Sequence, residues 1–525
     1  MLKKLHGRKL AVCLIGGAMY ALFSAFGWQA EHGGVIWAGG ALLVAALLVW
    51  PIAALLAVLL ERGYTRTLRQ EKTFRAGRAF AFILACYVPM FCVAFPGSFA
   101  YDVPYQLRQV VTGAYSTHHP LLHTLALGGL LQLGRALGDI NLGAALYTAL
   151  QMALLAGCFA LTCGSIARQS GARAAKRAAV FFALYPLNMV MAVNATKDVL
   201  FGGFFALTLA LLNEIQEKPS RGLALKIAAC GALAVMLRNN MAYAALVWLA
   251  LLTIGLRKAE KSAALAMLLA LAVGLCGNAA LKHATRAESG DMSEMLSWPI
   301  QQLARARLYD EERLTDAEKE TIDELMPGEA WACYDPTISD PVKFEFDTQA
   351  FRADVKKYVG VWLSVGKKCA GTYLDATMAL TYPFFYPYRE YRVSGYYVQM
   401  GMSDAYDAGW CDFDPPESRS LFPRALASLS WRFGAKGAMQ IPVVGWLFNM
   451  GVIVWTMLFF ALREMYWGRW RRFGTALLPV LLWGTFLLGP VMAGRYIYPF
   501  VCALPVLAAR LGRSVKEAER RSAQK

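Results

Sequence analysis

Acidic residues are scarce in the first half of this 525-residue chain: only nine precede Lys282, and just three of those are aspartates, Asp102, Asp139 and Asp198. Charge of either sign makes up 17% of the whole against 57% hydrophobic residues. A chain this long and this poor in charge is not an ordinary soluble enzyme; its composition places it in a bilayer. The eleven cysteines include no CxxC pair and most lie in apolar runs, where a thiol is a small core hydrophobe, so metal ligation by cysteine is not expected. Cys333, Cys369 and Cys411 fall in the one large polar segment, where a single disulfide stays open if that segment is extracytoplasmic, although the odd count speaks against it. An internal repeat and a low-complexity tract are also missing. No small-residue cleavage site follows the first apolar run, so residues 10–28 are read as a retained span and not as a secretory signal.

What is present in abundance is apolar sequence. With about 20 apolar residues needed per crossing, roughly twelve spans can be marked, within a range of about 10 to 13. They cover residues 10–28, 35–60, 80–96, 142–164, 178–193, 199–213, 223–236, 240–256, 262–281, 441–462, 474–490 and 495–510. The formal net charge of +17 suggests nucleic acid at first sight, but the lysines and arginines recur at every second loop. That is the positive-inside pattern, and it puts both termini in the cytoplasm and calls for no nucleic acid. The expected fold is an all-α polytopic membrane protein with interfacial helices and a large extracytoplasmic segment.

Four regions follow from this map: a two-span extension at 1–79, a transmembrane core at 80–281 with its first outer loop at 97–141, an outer segment at 282–440, and C-terminal spans with a basic tail at 441–525. The outer segment holds 24 of the 36 acidic residues. Its "LYDEERLTDAEKETIDELMP" predicts a helix opening after Thr315, with Asp316 and Glu318 in the first turn. The apolar stretch around residues 358–388 reads as helices lying on the membrane surface, with an extra pair of spans as the lesser alternative.

The scarce early aspartates all map to the outer face. Asp102 lies just beyond the third span in "FPGSFAYDVPYQ", where Pro96 and Gly97 end the helix and Pro104 restarts the chain. It suits a turn or cap residue as well as a general base at the water edge of the bilayer. His118, His119 and His123 follow; His119 and His123 have the i, i+4 spacing of metal ligands, but the glutamate of HExxH is missing and Pro120 intervenes, so no metal site is expected. "PLLHTLALGGLLQLGRAL" is apolar and short for a span, which suggests an interfacial helix. In "NATKD", Lys197 beside Asp198 reads either as a local ion pair with a snorkelling lysine or as a phosphate ligand with an orienting acid. The Asn194 sequon sits in a loop too short to be a good acceptor. Arg238 in "LRNN" and Arg495 in "GPVMAGRYIYP" stand at two further outer boundaries. A single arginine there is commonly an anchor, yet several on one face describe a site for an anionic lipid headgroup.

These residues resemble the membrane glycosyltransferases of the C-type (GT-C) fold, which use polyprenyl-phosphate-linked sugars, and within them a group of uncharacterised bacterial membrane proteins. The likeness rests on Asp102 within "PGSFAYDVPYQ", on the helix "HHPLLHTLALGGLLQLG" after it, on "ATKD", and on the late "RYIYP" around Arg495. It covers about the first 280 residues and the last three spans. The loop lacks the paired acidic DE or DxD of several relatives, and two additional spans precede the first that aligns.

The resemblance implies a donor, a polyprenyl-phosphate sugar, and a cell-envelope glycan or lipid acceptor on the extracytoplasmic face. Asp102 would then be the base of an inverting transfer, with Lys197, Asp198, Arg238, Arg495, Tyr105, His119 and Tyr496 binding substrate, and Tyr101 and Tyr115 in the same groove. No cofactor is required, and a divalent cation is left open. A lipid-linked oligosaccharide polymerase or ligase fits the same residues, and a transporter or lipid flippase without transferase activity is the third class.

Overall fold

The computed structural model describes residues 5–32, 40–61, 74–100, 102–253, 258–387, 398–402, 415–434, 441 and 443–509. In chain order the α-helices are α1 (Arg8–His32), α2 (Gly40–Glu61), α3 (Ala76–Ala94), α4 (Val103–Thr112), α5 (Leu121–Ala136), α6 (Ile140–Ser170), α7 (Ala172–Leu184), α8 (Pro186–Ala192), α9 (Lys197–Glu217), α10 (Arg221–Leu237), α11 (Asn239–Thr253) and α12 (Lys258–Thr285). There follow α13 (Ser297–Tyr309), α14 (Asp316–Leu325), α15 (Asp340–Lys343), α16 (Thr348–Ala353), α17 (Val355–Lys368), α18 (Ala370–Thr381), α19 (Pro423–Gly434), α20 (Met450–Tyr466), α21 (Trp470–Leu487) and α22 (Tyr498–Ala509). Among the described residues there is no strand, only isolated bridges between loops.

Among the described residues six helices are long and apolar enough to cross a bilayer: Arg8–His32, Leu42–Glu61, Ala76–Ala94, Ile140–Ser170, Lys197–Glu217 and Lys261–Thr285. Asn239–Thr253 and Gly494–Ala509 are shorter apolar helices. The protein is therefore an all-α, multi-pass membrane protein. The apolar stretch 178–193 is not one rod: Pro186 cannot donate to Phe182 and the chain breaks there into α7 and α8.

The core of the bundle is α9, most of which is buried and which packs against α6, α10, α12 and α22. Its aromatic face, Phe201 and Phe205, is fully enclosed. Close crossings need small residues: a Cβ on Gly143 of α6 would stand 2.2 Å from the carbonyl oxygen of Leu130 in α5. Gly97 is constrained twice, by φ +143° and by Thr148 Oγ1, which a Cβ would meet at 2.2 Å. That tight passage turns the chain from α3 into the loop bearing Asp102.

Residues 300–373 enclose an apolar cluster of their own, with Ile300, Leu303, Ile322, Leu325, Val342 and Val365 at its centre. Here the helix expected after Thr315 occurs as α14, closed by a capping box in which Thr315 and Glu318 bond each other's backbone N–H. The stretch 358–388 forms α17 and α18, of 14 and 12 residues, with α18 lying against α1. The segment is fastened to the loop before α5 and to the turn after α21: Thr117 N–H donates to Glu288 O, Glu288 N–H donates to Tyr115 O, and Ser339 N–H donates to Pro490 O. Cys333 and Cys369 are free thiols, while Cys411 lies outside the described residues.

Candidate active site

Four helix ends meet at one place in the bundle. Asp102 stands at the N-terminus of α4, Lys197 opens α9, Arg238 separates α10 from α11, and Arg495 lies in the short 3-10 turn Gly494–Ile497 before α22. Asp102 occupies the N-cap position of α4, yet its side chain makes no capping hydrogen bond. The carboxylate faces the cations instead. Lys197 Nζ donates to Asp102 Oδ2 at 2.8 Å, and Arg495 spreads its fork over both oxygens, Nη1 to Oδ2 at 3.3 Å and Nη2 to Oδ1 at 3.4 Å. His119 Nδ1 lies 3.8 Å from the same Oδ2.

A second carboxylate stands behind the first. Asp198 is fully buried, pairs with Arg238, accepts a hydrogen bond from Thr196 Oγ1 at 3.3 Å, and lies 3.9 Å from Arg495 Nε. Arg238 is held between two aromatic faces, 4.5 Å from the ring centres of Phe486 and Tyr496. Arg495 leans on Tyr496 at 5.3 Å, and the Tyr105 ring lies 6.5 Å from His119. The structure thus brings Asp102, Lys197, Asp198, Arg238, Arg495, Tyr105, His119 and Tyr496 into one cluster. Of the two tyrosines named beside them, Tyr101 lies outside the described residues and Tyr115 is tied by its backbone to Glu288.

Burial by itself would raise the Asp102 carboxyl, but the Arg495 guanidinium and the Lys197 ammonium outweigh it and hold the group well below the usual carboxylate range. His119 is pushed the other way: burial lowers it to about 3, so the ring is neutral and its approach to Asp102 is not an ion pair. His123 is likewise lowered to about 3 by burial. Both of its ring nitrogens are engaged, Nδ1 with Gln106 Oε1 at 3.0 Å and Nε2 with the Tyr147 hydroxyl at 2.9 Å. The i, i+4 histidine pair therefore offers no metal a free His123 nitrogen.

That pairing opens a buried chain that sequence reasoning missed. The Tyr147 hydroxyl donates to Gln151 Oε1, and Gln151 Nε2 donates to the carbonyls of Ala192 and Asn194 at 3.0 and 2.8 Å. Ser98 Oγ adds a second tie to Asn194 Oδ1 at 3.1 Å, and its backbone pairs with Val193 and Ala195. Together they fix the loop before Lys197 against the helix after Asp102. Asn194, the residue of the sequon, is buried in this tie. The only sequence signal was Tyr147 and Gln151, polar residues inside the otherwise apolar α6. Asp139, the third early aspartate, joins no part of the cluster; it caps α6 through Asn141 N–H and pairs with Arg419.

Residues 112–525 match the sequence pattern of a family of unknown function, DUF6020. The chain belongs to that family. The matched region takes in His119, Lys197, Asp198, Arg238, Arg495 and Tyr496, whereas Asp102 and Tyr105 precede it. No curated protein and no solved structure matches the chain.

Proposed function

We propose that this DUF6020 protein is an integral membrane glycosyltransferase that moves a sugar from a polyprenyl-phosphate donor to a cell-envelope acceptor, on a GT-C-like scaffold of about twelve spans. Both termini would be cytoplasmic and the cluster would face outward, as the basic loops suggest. The observation that carries the reading is the meeting of one carboxylate, Asp102, with two cations, Lys197 and Arg495, from distant parts of the chain.

In this reading the acceptor oxygen attacks the anomeric carbon, its proton passes to Asp102, the bond from that carbon to the phosphate oxygen breaks, and polyprenyl phosphate leaves with inversion at the sugar. Lys197 and Arg495 stabilise the negative charge that gathers on the leaving phosphate. Arg238 is committed to Asp198 and two rings, so it acts from behind, fixing the carboxylate that steadies Arg495.

The charge count favours a monophosphate donor over the diphosphate donor of a polymerase or ligase. Three cations, Lys197, Arg238 and Arg495, face two carboxylates, Asp102 and Asp198, beside a neutral His119, which leaves one positive charge. A sugar phosphodiester brings one negative charge and a diphosphate-linked donor brings two; burial disfavours the excess. The placing of the charges at helix ends, outside span interiors, favours a surface reaction over transport. Purified wild type and Asp102→Asn are to be compared for sugar transfer from a polyprenyl-phosphate sugar. Undiminished transfer by the variant removes Asp102 as the base and sinks this reading.

A further inference from the structure

The proposed base and the proposed phosphate ligands are bonded to one another. Asp102 takes both terminal nitrogens of Arg495 and the ammonium of Lys197, the fork-and-point contacts that a phosphate would take. A carboxylate so engaged is a poor proton acceptor. We propose that Asp102 fills the anion subsite of the free protein and is displaced when the donor phosphate takes over Lys197 and Arg495, so that donor binding must precede activation of the acceptor hydroxyl. This rests on the transferase reading above and adds to it a compulsory order of binding.

The geometry suits an exchange. Side-chain exposure is 24% for Asp102 against 15% for Lys197 and 10% for Arg495, so the carboxylate is the outermost member and the cations lie behind it. The Arg495 contacts at 3.3 and 3.4 Å are longer than the roughly 2.7–2.9 Å of a tight charge-assisted bond. Arg495 does not depend on Asp102 alone for its place. Arg495 is also steadied by Asp198, itself fixed by Arg238 and Thr196, and Lys197 is held at the start of α9. Asp102, by contrast, follows a loop and makes no cap bond to its helix.

The groups facing Asp102 are Lys197 from α9, Arg495 and Tyr496 from the turn before α22, His119 from the loop before α5, Tyr105 from its own helix, and, farther off, His123 from α5 and Arg238, which is paired with Asp198. Once a phosphate anion holds the two front cations, Asp102 has a like charge beside it in place of its partners. Its affinity for a proton then rises, which is the property a base needs at that moment. By linkage, donor binding and proton uptake favour each other.

The test uses the full-length protein in detergent and two sugar-free phosphodiesters, whose single charge does not titrate near neutrality: farnesyl methyl phosphate and, without a lipid tail, dimethyl phosphate. Calorimetry in two buffers of different ionisation enthalpy reads affinity and protons together. Wild type is expected to take up protons on binding farnesyl methyl phosphate, increasingly as the pH is lowered from neutrality toward the ordinary carboxylate range. Asp102→Asn is expected to bind it about tenfold tighter, the equivalent of one pH unit of coupling, and with no uptake. Proton uptake by wild type needs no variant, so its absence overturns the exchange even where Asp102→Asn folds poorly. Equal or weaker binding by a folded Asp102→Asn overturns it too. If that happens while wild type still transfers sugar, the transferase reading survives alone. Tightening seen with dimethyl phosphate but not with the farnesyl probe supports the exchange and removes the lipid donor. Binding of neither probe overturns the exchange.

Discussion

Two carboxylates in this molecule are held far below the ordinary range, and they do opposite work. Glu318, in α14, accepts bonds from Thr315 N–H and Oγ1 at 2.9 and 3.0 Å, from Ser364 Oγ at 2.7 Å and from Lys368 Nζ at 2.7 Å. Its partners lie 3, 46 and 50 residues away, within one small apolar cluster. Asp102 draws its partners from 95 and 393 residues away and leaves its own helix uncapped. Near it His119 Nδ1 and Arg238 Nε are buried with no hydrogen-bond partner among the described residues. Glu318 is saturated by short local bonds, which is how a carboxylate supports a fold. Asp102 sits among longer contacts and unspent donors, which is how a carboxylate awaits a ligand.

The largest effect expected from that contrast is on chemistry. Asp102→Asn should lower the rate of sugar transfer by about 100- to 10,000-fold, the usual contribution of a general base, a loss measured on folded protein and larger than any change in melting temperature accounts for. Glu318→Gln should do the reverse, with a lower melting temperature and transfer within a few-fold of wild type. If Glu318→Gln is the variant that abolishes transfer while remaining folded, the contrast is wrong. Next in size is Lys197→Met, which removes one charge-assisted bond to the donor. With such a bond contributing about 1.5–3 kcal/mol, the donor KM should rise roughly 10- to 100-fold while kcat falls less. A fall in kcat alone would confine Lys197 to the charge that develops on the leaving phosphate, outside binding of the ground-state donor.

A smaller loss is expected from Tyr147→Phe, which touches neither carboxylate. It leaves His123 Nε2 and Gln151 Oε1 without their shared hydroxyl, at a cost of about 1–3 kcal/mol in stability. The loop before Lys197 loosens, and transfer should drop about tenfold, the equivalent of about 1.4 kcal/mol. Unchanged kinetics with lowered stability would make the buried chain a packing device only.

The all-α, multi-pass class was legible because it rests on local composition: apolar runs became helices, although 178–193, read as one span, breaks at Pro186. The cluster was legible through scarcity and position. Asp102 and Asp198 stood out because aspartate is so rare before residue 282, and Lys197, Arg238 and Arg495 because each sat at a helix boundary. What stayed hidden was which side chain meets which. Asp102 suited a cap, and only the folded chain shows it turned away from its helix. Arg238 matched a phosphate ligand, yet Phe486, far along the sequence, and Tyr496 enclose it. The His119–His123 spacing suggested metal, while Gln106 and Tyr147 claim His123 through packing that no local pattern encodes.

The smallest effect concerns Glu318 and acid. Its folded pKa, about 2, lies below the ordinary 4.5: burial would raise it, but the bonds from Lys368, Thr315 and Ser364 prevail. A depressed carboxylate stabilises the fold fully above its unfolded pKa, and that stability is lost as the pH falls from about 4.5 toward about 2. Hydrogen exchange of the intact protein should therefore show α14 and α17 losing protection across that window, ahead of α9. Thr315→Ala removes the cap that Glu318 shares and should cost about 1 kcal/mol at neutral pH. The same variant should narrow the acid window, because one of the bonds that hold Glu318 down is gone. If α14 instead keeps its protection down to the pH at which α9 opens, the 300–373 cluster and the bundle unfold as one unit, and Glu318 supports both.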